Sequence, residues 1–270
     1  MTHLILNIAI LITIICLCIL YLNMSEQKLA NKPIYDHDPD FIVNIDQIEK
    51  QQDYLNEMPI FIINLKDRCG RKKEMQDELD KHKLKGEFII AYDGRNLDVV
   101  VLRENDIITE QNDVRPLRRG EIGCYFSHIK CWEKILESGK PYGMVLEDDV
   151  IFDSEFRAKF NDIFEHIKDL DWDTISLGRS CKTGWFDNDC LEGSVVYKNA
   201  FRPTIMGYGA FAYIIKACTI EKLLETTFPI SKPVDVVIPE EYQKRNIKNI
   251  SMLNDLANVR PVVSDTVGIK

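Results

Sequence analysis

Short apolar runs alternate along this chain with longer segments of helical composition, and this alternation constrains the fold more than any other feature. The runs are rich in β-branched residues and end near turn residues, as buried strands do. They are PIFIINL (59–65), EFIIAYDG (87–94), YGMVL (142–146), DTISLG (173–178) and GAFAYIIK (209–216). Because strands and helices alternate, the sequence predicts an α/β domain with a mostly parallel sheet between helices.

The segments between the runs carry helix signals. The charged stretch 68–85 is followed by Gly86, and CTIEKLLET (218–226) follows the last strand. In RRGEIGCYFSHIKCWEKILESGK (118–140) the apolar residues recur every three or four positions, which is the spacing of one helix face. Another helix is expected to begin after Asp153 or Ser154 and to end near Lys168.

The N-terminal segment has a different character. Residues 4–22 form 19 consecutive positions without a charge, long enough to cross a bilayer as a helix. A secretory signal peptide is the alternative, but the segment lacks a basic start and a clear cleavage site. We therefore expect a membrane anchor over 1–23, a polar stem over 24–57 and a catalytic domain over 58–270.

The orientation of this expected single-pass protein stays open. No Lys or Arg precedes the apolar span, whereas Lys28 and Lys32 follow it. This distribution slightly favours a cytosolic catalytic domain over one in the lumen of the Golgi or the endoplasmic reticulum.

Composition excludes some classes of function. A net charge of −9 argues against a nucleic-acid partner. No Cys/His spacing resembles a zinc site. Cys124 and Cys131 are too far apart on one helix to bridge, so Cys181 and Cys190, which flank a glycine-containing loop, are the disulfide candidates.

Three consecutive carboxylates, Glu147, Asp148 and Asp149, follow the strand YGMVL. Ligands of such sheets bind outside the carboxyl ends of the strands, so these acids are expected to face a cleft. Hard oxygen ligands suit manganese or magnesium, which can neutralise a diphosphate. The alternative is a solvated loop whose acids cap the next helix. Their position alone does not decide between the two.

Five segments in the same order resemble glycosyltransferase family 25, which includes lipooligosaccharide and procollagen galactosyltransferases. They are PIFIINLKDRCGRK, AYDG, RRGEIGCYFSHIKCWEKI, YGMVLEDDV and GYGAFAYIIKACTIEKLL, and the resemblance covers about residues 58 to 270. It implies a GT-A-type fold and an inverting, metal-dependent transfer of a hexose from a UDP-sugar, galactose first and glucose second. The acceptor would be a glycan, a lipid-linked sugar such as lipooligosaccharide, or hydroxylysine.

The resemblance also implies roles for individual residues. Asp149 would bind the metal with Glu147, and Asp148 would contact the donor sugar or ribose. The remaining donor-binding candidates come from the other motifs: Asn64, Leu65, Arg68, Arg71, Asp93, Glu121, Gly123 and His128. Each has a structural alternative. Arg71 would be a solvated cation, Asp93 a turn former, Gly123 a tolerated helix residue and His128 a packed core residue.

An inverting transfer needs a base for the acceptor hydroxyl. Asp235 in KPVDVVIPEEY resembles the family's proline-x-aspartate segment and is the candidate, with Glu240 and Glu241 as rivals and a turn as the structural alternative. Phe211 departs from the family pattern, where many relatives carry a smaller or polar residue. Cys69 and Cys131 lie inside motifs without an assigned role.

Two other hypotheses compete with the transferase. One is an inactive relative that binds carbohydrate or nucleotide, against which the intact EDD and GEIGC motifs argue. The other is a phosphohydrolase or nucleotidyltransferase, which would require more metal ligands or a phosphate loop such as GxxxxGK, and the sequence has neither.

Overall fold

The computed structural model describes residues 52–109, 115–178 and 192–261. Within them ten strands form: β1 Ile60–Asn64, β2 Glu87–Ile90, β3 Tyr142–Glu147, β4 Val150–Phe152, β5 Thr174–Ser176, β6 Gly193–Tyr197, β7 Ala200–Pro203, β8 Ala212–Lys216, β9 Asn249–Met252 and β10 Ala257–Val259. Six α-helices accompany them: α1 Cys69–Lys81, α2 Val99–Glu104, α3 Arg119–Glu137, α4 Phe156–Ile167, α5 Ala217–Thr227 and α6 Val234–Gln243.

Eight of the strands form one sheet in the order β2-β1-β3-β8-β5-β9-β7-β6. β2, β1 and β3 are mutually parallel, and β5 is parallel to β9. β8 is antiparallel to both β3 and β5, and β7 is antiparallel to β9 and β6. All strands except β7 and β8 therefore run in one direction, which confirms the predicted α/β class with a mostly parallel sheet. β4 and β10 form a separate antiparallel pair.

Both faces of the sheet are covered by helices. Along β1, Ile60 and Ile62 pack with α1 and α4, whereas Phe61 and Ile63 pack with α3, α5 and α6. This alternation follows from the two-residue period of a strand, and it explains why the predicted runs are apolar throughout rather than at every second position. All five residues of β1 are buried.

Helix α3 has the amphipathic pattern that the sequence predicts. In α3 the buried apolar residues include Ile122, Tyr125, Ile129 and Trp132, at three- and four-residue steps. Arg118 precedes the helix, and its backbone N–H donates to the carboxylate of Glu121 at 2.8 Å. Such a contact satisfies an N–H at a helix start, where no carbonyl of the helix is in reach.

The sequence predicts a polar stem and a membrane anchor in the N-terminal part of the chain. Tyr54 and Leu55, at the end of the predicted stem, are buried in the core with α4. The packed domain therefore includes residues that the sequence assigns to the stem. Within the described ranges, no helix has the length and apolar character needed to cross a bilayer. The predicted anchor lies outside those ranges, as do Cys181 and Cys190.

The carboxyl ends of β2, β1 and β3 meet at one edge of the sheet. Asn64 is paired with Ile90, and Ile63 with Glu147, so the segments that follow the three strands are neighbours. The backbone N–H of Glu147 donates to the carbonyl of Phe211 at 2.8 Å, which brings the segment before β8 to the same edge. The motifs at 64–71, 91–94, 147–149 and 211–213 therefore converge in space.

Candidate functional site

The acidic triplet forms the turn between β3 and β4. Glu147 is the last residue of β3, and Asp148 and Asp149 are 7% and 8% exposed. The next helix, α4, begins only after Glu155, whose side chain makes no capping bond. The alternative interpretation, that the triplet caps the following helix, is therefore wrong. The acids lie at the carboxyl end of a strand, as predicted.

Asp148 is bound by two side chains from the neighbouring strand and helix. Asn64 Nδ2 donates to Asp148 Oδ2 at 2.7 Å, and Arg71 Nη1 donates to Asp148 Oδ1 at 3.2 Å. Burial nevertheless raises the pKa of Asp148 above its usual value, against the effect of these bonds. Arg71 is 18% exposed and ion-paired, so its alternative as a solvated cation is wrong.

Asp149 is in a less favourable environment. Its Oδ1 atom is buried without a hydrogen-bond partner, and Arg71 Nη1 is 3.9 Å from its Oδ2. Burial, together with the carboxylates of Glu147 and Asp148, raises the pKa of Asp149 to about 7. A buried carboxylate oxygen without a partner is costly, and a bound cation would compensate it. Asp149 therefore fits the metal-binding role that the resemblance implies.

A second group consists of Glu147 and two residues of α3. Cys124, His128 and Glu147 each present a ligand atom within 4.8 Å of the other two, the spacing of a metal-binding group. His128 is fully buried, and its Nε2 is 3.7 Å from Glu147 Oε1. Burial, followed by the charges of Glu147 and Asp235, raises the pKa of the Cys124 thiol well above its usual value. A neutral thiol is a poor metal ligand.

Asp235 lies next to this second group. It is in the first turn of α6, which excludes the alternative of a simple turn residue. Burial, and then the charges of Glu147 and Glu121, raise the pKa of Asp235. Its two rivals are engaged elsewhere, since Glu240 is ion-paired with Lys232 and Glu241 with Lys244.

The carboxylates of Glu121 and Asp93 accept hydrogen bonds from nearby residues of the protein. Arg115 Nη1 donates to Glu121 Oε2 at 2.8 Å, in addition to the bond from the helix start. The Asp93 carboxylate accepts from the backbone N–H of Arg95 at 2.9 Å and pairs with its guanidinium, which also binds Asp67 at 2.7 Å. These bonds lower the pKa of Asp93. The turn-forming alternative for Asp93 is thus present, and its donor-binding role stays a prediction.

Close packing against the turn after β2 explains why residue 123 is a glycine. A Cβ there would lie 2.5 Å from the carbonyl oxygen of Tyr92 and 2.9 Å from the N of Gly94. The absence of a side chain lets α3 approach the turn after β2. Leu65 and Arg68 form the turn after β1, where the N–H of Arg68 donates to the carbonyl of Leu65 at 2.9 Å. Donor contacts by these three residues stay predictions.

Three residues near the site were not predicted as functional. Trp132 Nε1 donates to the hydroxyl of Tyr213 at 2.8 Å, and that hydroxyl is 2.9 Å from Nδ1 of His128. Trp132 and Tyr213 are both buried, as is His128. Cys124, the third, is four residues before His128 and therefore on the same helix face. Trp132 and Tyr213 lie in motif segments with an apolar pattern, and each has a polar atom that needs a hydrogen-bond partner when the side chain is buried. This combination is the sequence signal that identifies them.

Comparison with known proteins identifies the family. The model of Glycosyltransferase family 25 (LPS biosynthesis protein) matches residues 57–238. Procollagen galactosyltransferase 1 of Danio rerio is 28% identical over 232 residues, which is 83% of this chain and 37% of that protein. "Probable inactive glycosyltransferase 25 family member 3" of Bos taurus is 30% identical over 191 residues, 67% of this chain and 31% of that protein.

The chain thus spans about a third of the length of these relatives. Among solved structures, a glycosyltransferase involved in glycosylation of the major capsid of PBCV-1 is 10% identical, with a TM-score of 0.42 over 77% of this chain and 94% of that one. The family model alone covers more than half of the chain, and the predicted motifs lie within the matched part or directly after it. The chain belongs to glycosyltransferase family 25.

Proposed function

We propose that this protein is a metal-dependent, inverting hexosyltransferase with a GT-A-type fold. It transfers galactose, or in second place glucose, from a UDP-sugar to a hydroxyl of a glycan, a lipooligosaccharide or hydroxylysine. Membership of the family supports a nucleotide-sugar donor. The observation that carries the proposal is the buried, unpartnered oxygen of Asp149 at the carboxyl end of β3, beside the bonded carboxylate of Asp148.

The residues present fit a hard divalent cation. Asp149, together with Glu147, would hold manganese or magnesium, since both supply carboxylate oxygens. When bound, the cation neutralises the diphosphate leaving group. Cys124 and His128 offer sulfur and nitrogen, which suit zinc better, and the raised pKa of the thiol opposes metal binding there.

Asp148 and Arg71 have linked tasks. The two bonds from Asn64 and Arg71 fix the Asp148 carboxylate, so that it can accept from a sugar or ribose hydroxyl without rearranging. Arg71 is paired with Asp148 and Asp149, which supports a role for its charge in binding the donor diphosphate.

Asp235 acts as the base. Its raised pKa makes it a better proton acceptor than an ordinary aspartate. It takes the proton of the acceptor hydroxyl while the acceptor oxygen bonds to the anomeric carbon. The bond from that carbon to the diphosphate breaks on the opposite face, and UDP leaves with the electron pair. The product carries the inverted anomeric configuration.

The test is UDP release by the full chain in mild detergent, with UDP-galactose, UDP-glucose and UDP-N-acetylglucosamine, with and without manganese. We expect manganese-dependent release from UDP-galactose that Asp149→Asn abolishes. Asp153→Asn is the control, because Asp153 lies at the other end of β4 and its carboxylate accepts from Lys159 at 2.8 Å. Equal release by Asp149→Asn and the wild type would contradict the proposal.

The second candidate is a protein that binds nucleotide sugars without turnover. One relative bears the name of an inactive family member, which is the observation in its favour. Saturable, manganese-dependent binding of UDP-galactose without UDP release, in the presence of galactosylable acceptors such as hydroxylysine peptides, would support it over the transferase.

We also propose that residues 4–22 anchor the protein in a membrane as a single span. The proposal depends on the 19 uncharged residues of that segment. Resistance of the membrane-bound protein to alkaline carbonate extraction, lost on deletion of residues 1–23, is the expected result. Extraction of the full chain by carbonate would contradict it.

A further inference from the structure

The tautomer of a buried histidine can be derived from the hydrogen bonds around it. Trp132 Nε1–H is a donor only, so in its 2.8 Å contact the oxygen of Tyr213 must accept. The hydroxyl proton of Tyr213 then needs an acceptor, and Nδ1 of His128 lies 2.9 Å away. Thr174, Ser176 and Asp235 line a cavity of about 10 Å³ beside Tyr213, yet none of them is hydrogen-bonded to its hydroxyl.

The donor and the acceptor can be assigned in each of these hydrogen bonds. If Tyr213 donates to Nδ1, that nitrogen carries no proton, and a neutral imidazole must carry its proton on Nε2. The reverse tautomer would leave the buried hydroxyl proton of Tyr213 without a described acceptor, which is costly. Trp132 and Tyr213 thus select one of the two neutral forms of His128.

The selected N–H has no partner in the described chain. His128 Nε2 is fully buried and makes no hydrogen bond. Its nearest carboxylate oxygen, Glu147 Oε1, is 3.7 Å away. That separation is too long for a direct hydrogen bond but short enough for one oxygen atom to contact both groups. Glu147 is 34% exposed, whereas Nε2 itself is buried, so a ligand oxygen reaches this position only when a neighbouring side chain moves.

We propose that Trp132 and Tyr213 hold His128 as the Nε2–H tautomer, and that this N–H and Glu147 Oε1 together bind one hydroxyl of the donor sugar. The hydroxyl oxygen accepts from His128 and its proton is donated to Glu147. Trp132 and Tyr213 are positioning residues, since they act through His128. The ligand part rests on the proposed function, whereas the tautomer does not.

The first test reads the tautomer directly. The full chain in detergent is labelled with ¹⁵N at its five histidines, and long-range ¹H–¹⁵N correlations are recorded at about pH 8. His128→Gln identifies the signals of His128. We expect a protonated Nε2 and an unprotonated Nδ1. A protonated Nδ1 would overturn the proposal.

Tyr213→Phe tests the positioning role. Without the hydroxyl, nothing selects the form of His128, so a mixture of both tautomers is expected in place of one. A spectrum that still shows only the Nε2–H form would refute the role of Tyr213. If this variant does not fold, Trp132→Phe provides the same comparison, because it removes the N–H donor that fixes which way the Tyr213 hydroxyl donates its proton.

The second test identifies the ligand. UDP and UDP-galactose, each with magnesium, which is diamagnetic, are added to the wild type. The Nε2–H proton signal should shift with UDP-galactose and stay in place with UDP. A shift with both would assign the contact to the nucleotide and refute a sugar hydroxyl. A shift, or a change of tautomer, on addition of Zn²⁺ alone would instead assign the group to a metal.

Failure of the proposed function would look different. In that case neither UDP nor UDP-galactose would change the melting temperature of the protein. The proposed sugar contact would then be refuted together with the function. The tautomer of His128 would still be decided by the first spectrum.

Activity provides a matched pair of substitutions. The Gln side chain places an N–H near the Nε2 position, whereas Asn does not reach it. His128→Asn should therefore raise the KM for UDP-galactose by about three- to tenfold relative to His128→Gln, the factor for one hydrogen bond. Equal KM values for the two variants would count against a donor at Nε2. His166→Asn is the control, because His166 is on α4 and stacks on Tyr197.

Discussion

Replacing Asp149 by asparagine should make the metal-free protein more stable at neutral and alkaline pH. The pKa of Asp149 rises from its ordinary value of 3.8 to about 7, chiefly because the carboxylate is buried and next to two other acids. At about 1.36 kcal/mol per pKa unit, this corresponds to about 4 kcal/mol against the ionised form. Asn keeps the shape of the side chain and removes the charge.

The sign of the pH dependence follows from the direction of the shift. Below pH 3.8 the acid is protonated in both the folded and the unfolded state, and it costs nothing. Between 3.8 and about 7 the unfolded state ionises while the folded state stays protonated, so stability falls as pH rises. Above about 7 the whole penalty is present. The substitution should therefore matter little near pH 4 and most near pH 8.

The assay is thermal unfolding with a chelator, followed by circular dichroism at several pH values. For a domain of this size about 1 kcal/mol corresponds to about 2 to 4 °C, so Asp149→Asn should melt about 8 to 16 °C above the wild type near pH 8. The two should agree within about 2 °C near pH 4, since only about 0.5 kcal/mol separates them there. A gain that is the same at both pH values would refute the reasoning.

Asp153→Asn is the control of opposite sign. A hydrogen bond from Lys159 and one from the backbone of Glu155 lower the pKa of Asp153. Its stabilising contribution is therefore present at neutral pH and disappears as pH falls through the folded-state pKa. This variant should be less stable than the wild type near pH 8 and equal to it in acid.

Three further substitutions test separate parts of the account. Asn64→Ala removes the 2.7 Å bond to a buried carboxylate, and should lower the free energy of unfolding by about 1 to 3 kcal/mol in urea titrations; a change near zero would contradict it. Gly123→Ala forces a Cβ against the carbonyl of Tyr92 and should cost about 1 to 3 kcal/mol, whereas Gly70→Ala, with nothing within 4 Å, should be neutral or stabilising; equal effects at the two glycines would refute the packing argument. Asp235→Asn should leave UDP binding intact and lower kcat by about 100-fold or more, and an unchanged kcat would assign the base to another carboxylate.

The sequence was informative where structure depends on local pattern. The runs PIFIINL and YGMVL carry the residues of β1 and β3, and the acids after β3 lie at the strand end, as expected. The direction of strands is not encoded in an apolar run, which is why the antiparallel placement of β8 between β3 and β5 was not predicted. The pair of β4 and β10 is not predicted because each strand has only three residues, too few for a recognisable pattern.

The contacts that define the site are mostly non-local. The partner of Asp148 is Arg71, 77 positions earlier, and the partner of His128 is Tyr213, 85 positions later. Periodicity and spacing describe neighbours on one helix or strand, so they cannot pair residues that the sheet brings together. Motif order indicated which segments would converge, and the sheet register explains how.

The most direct measurement is the binding of UDP-galactose by calorimetry, with and without manganese, for the wild type and for Asp149→Asn. The central claim is that the buried, unpartnered oxygen of Asp149 holds a divalent cation for the donor. It predicts manganese-dependent binding by the wild type and its loss in the variant, while Asp153→Asn binds normally. Equal manganese-dependent affinity in Asp149→Asn and the wild type would contradict it.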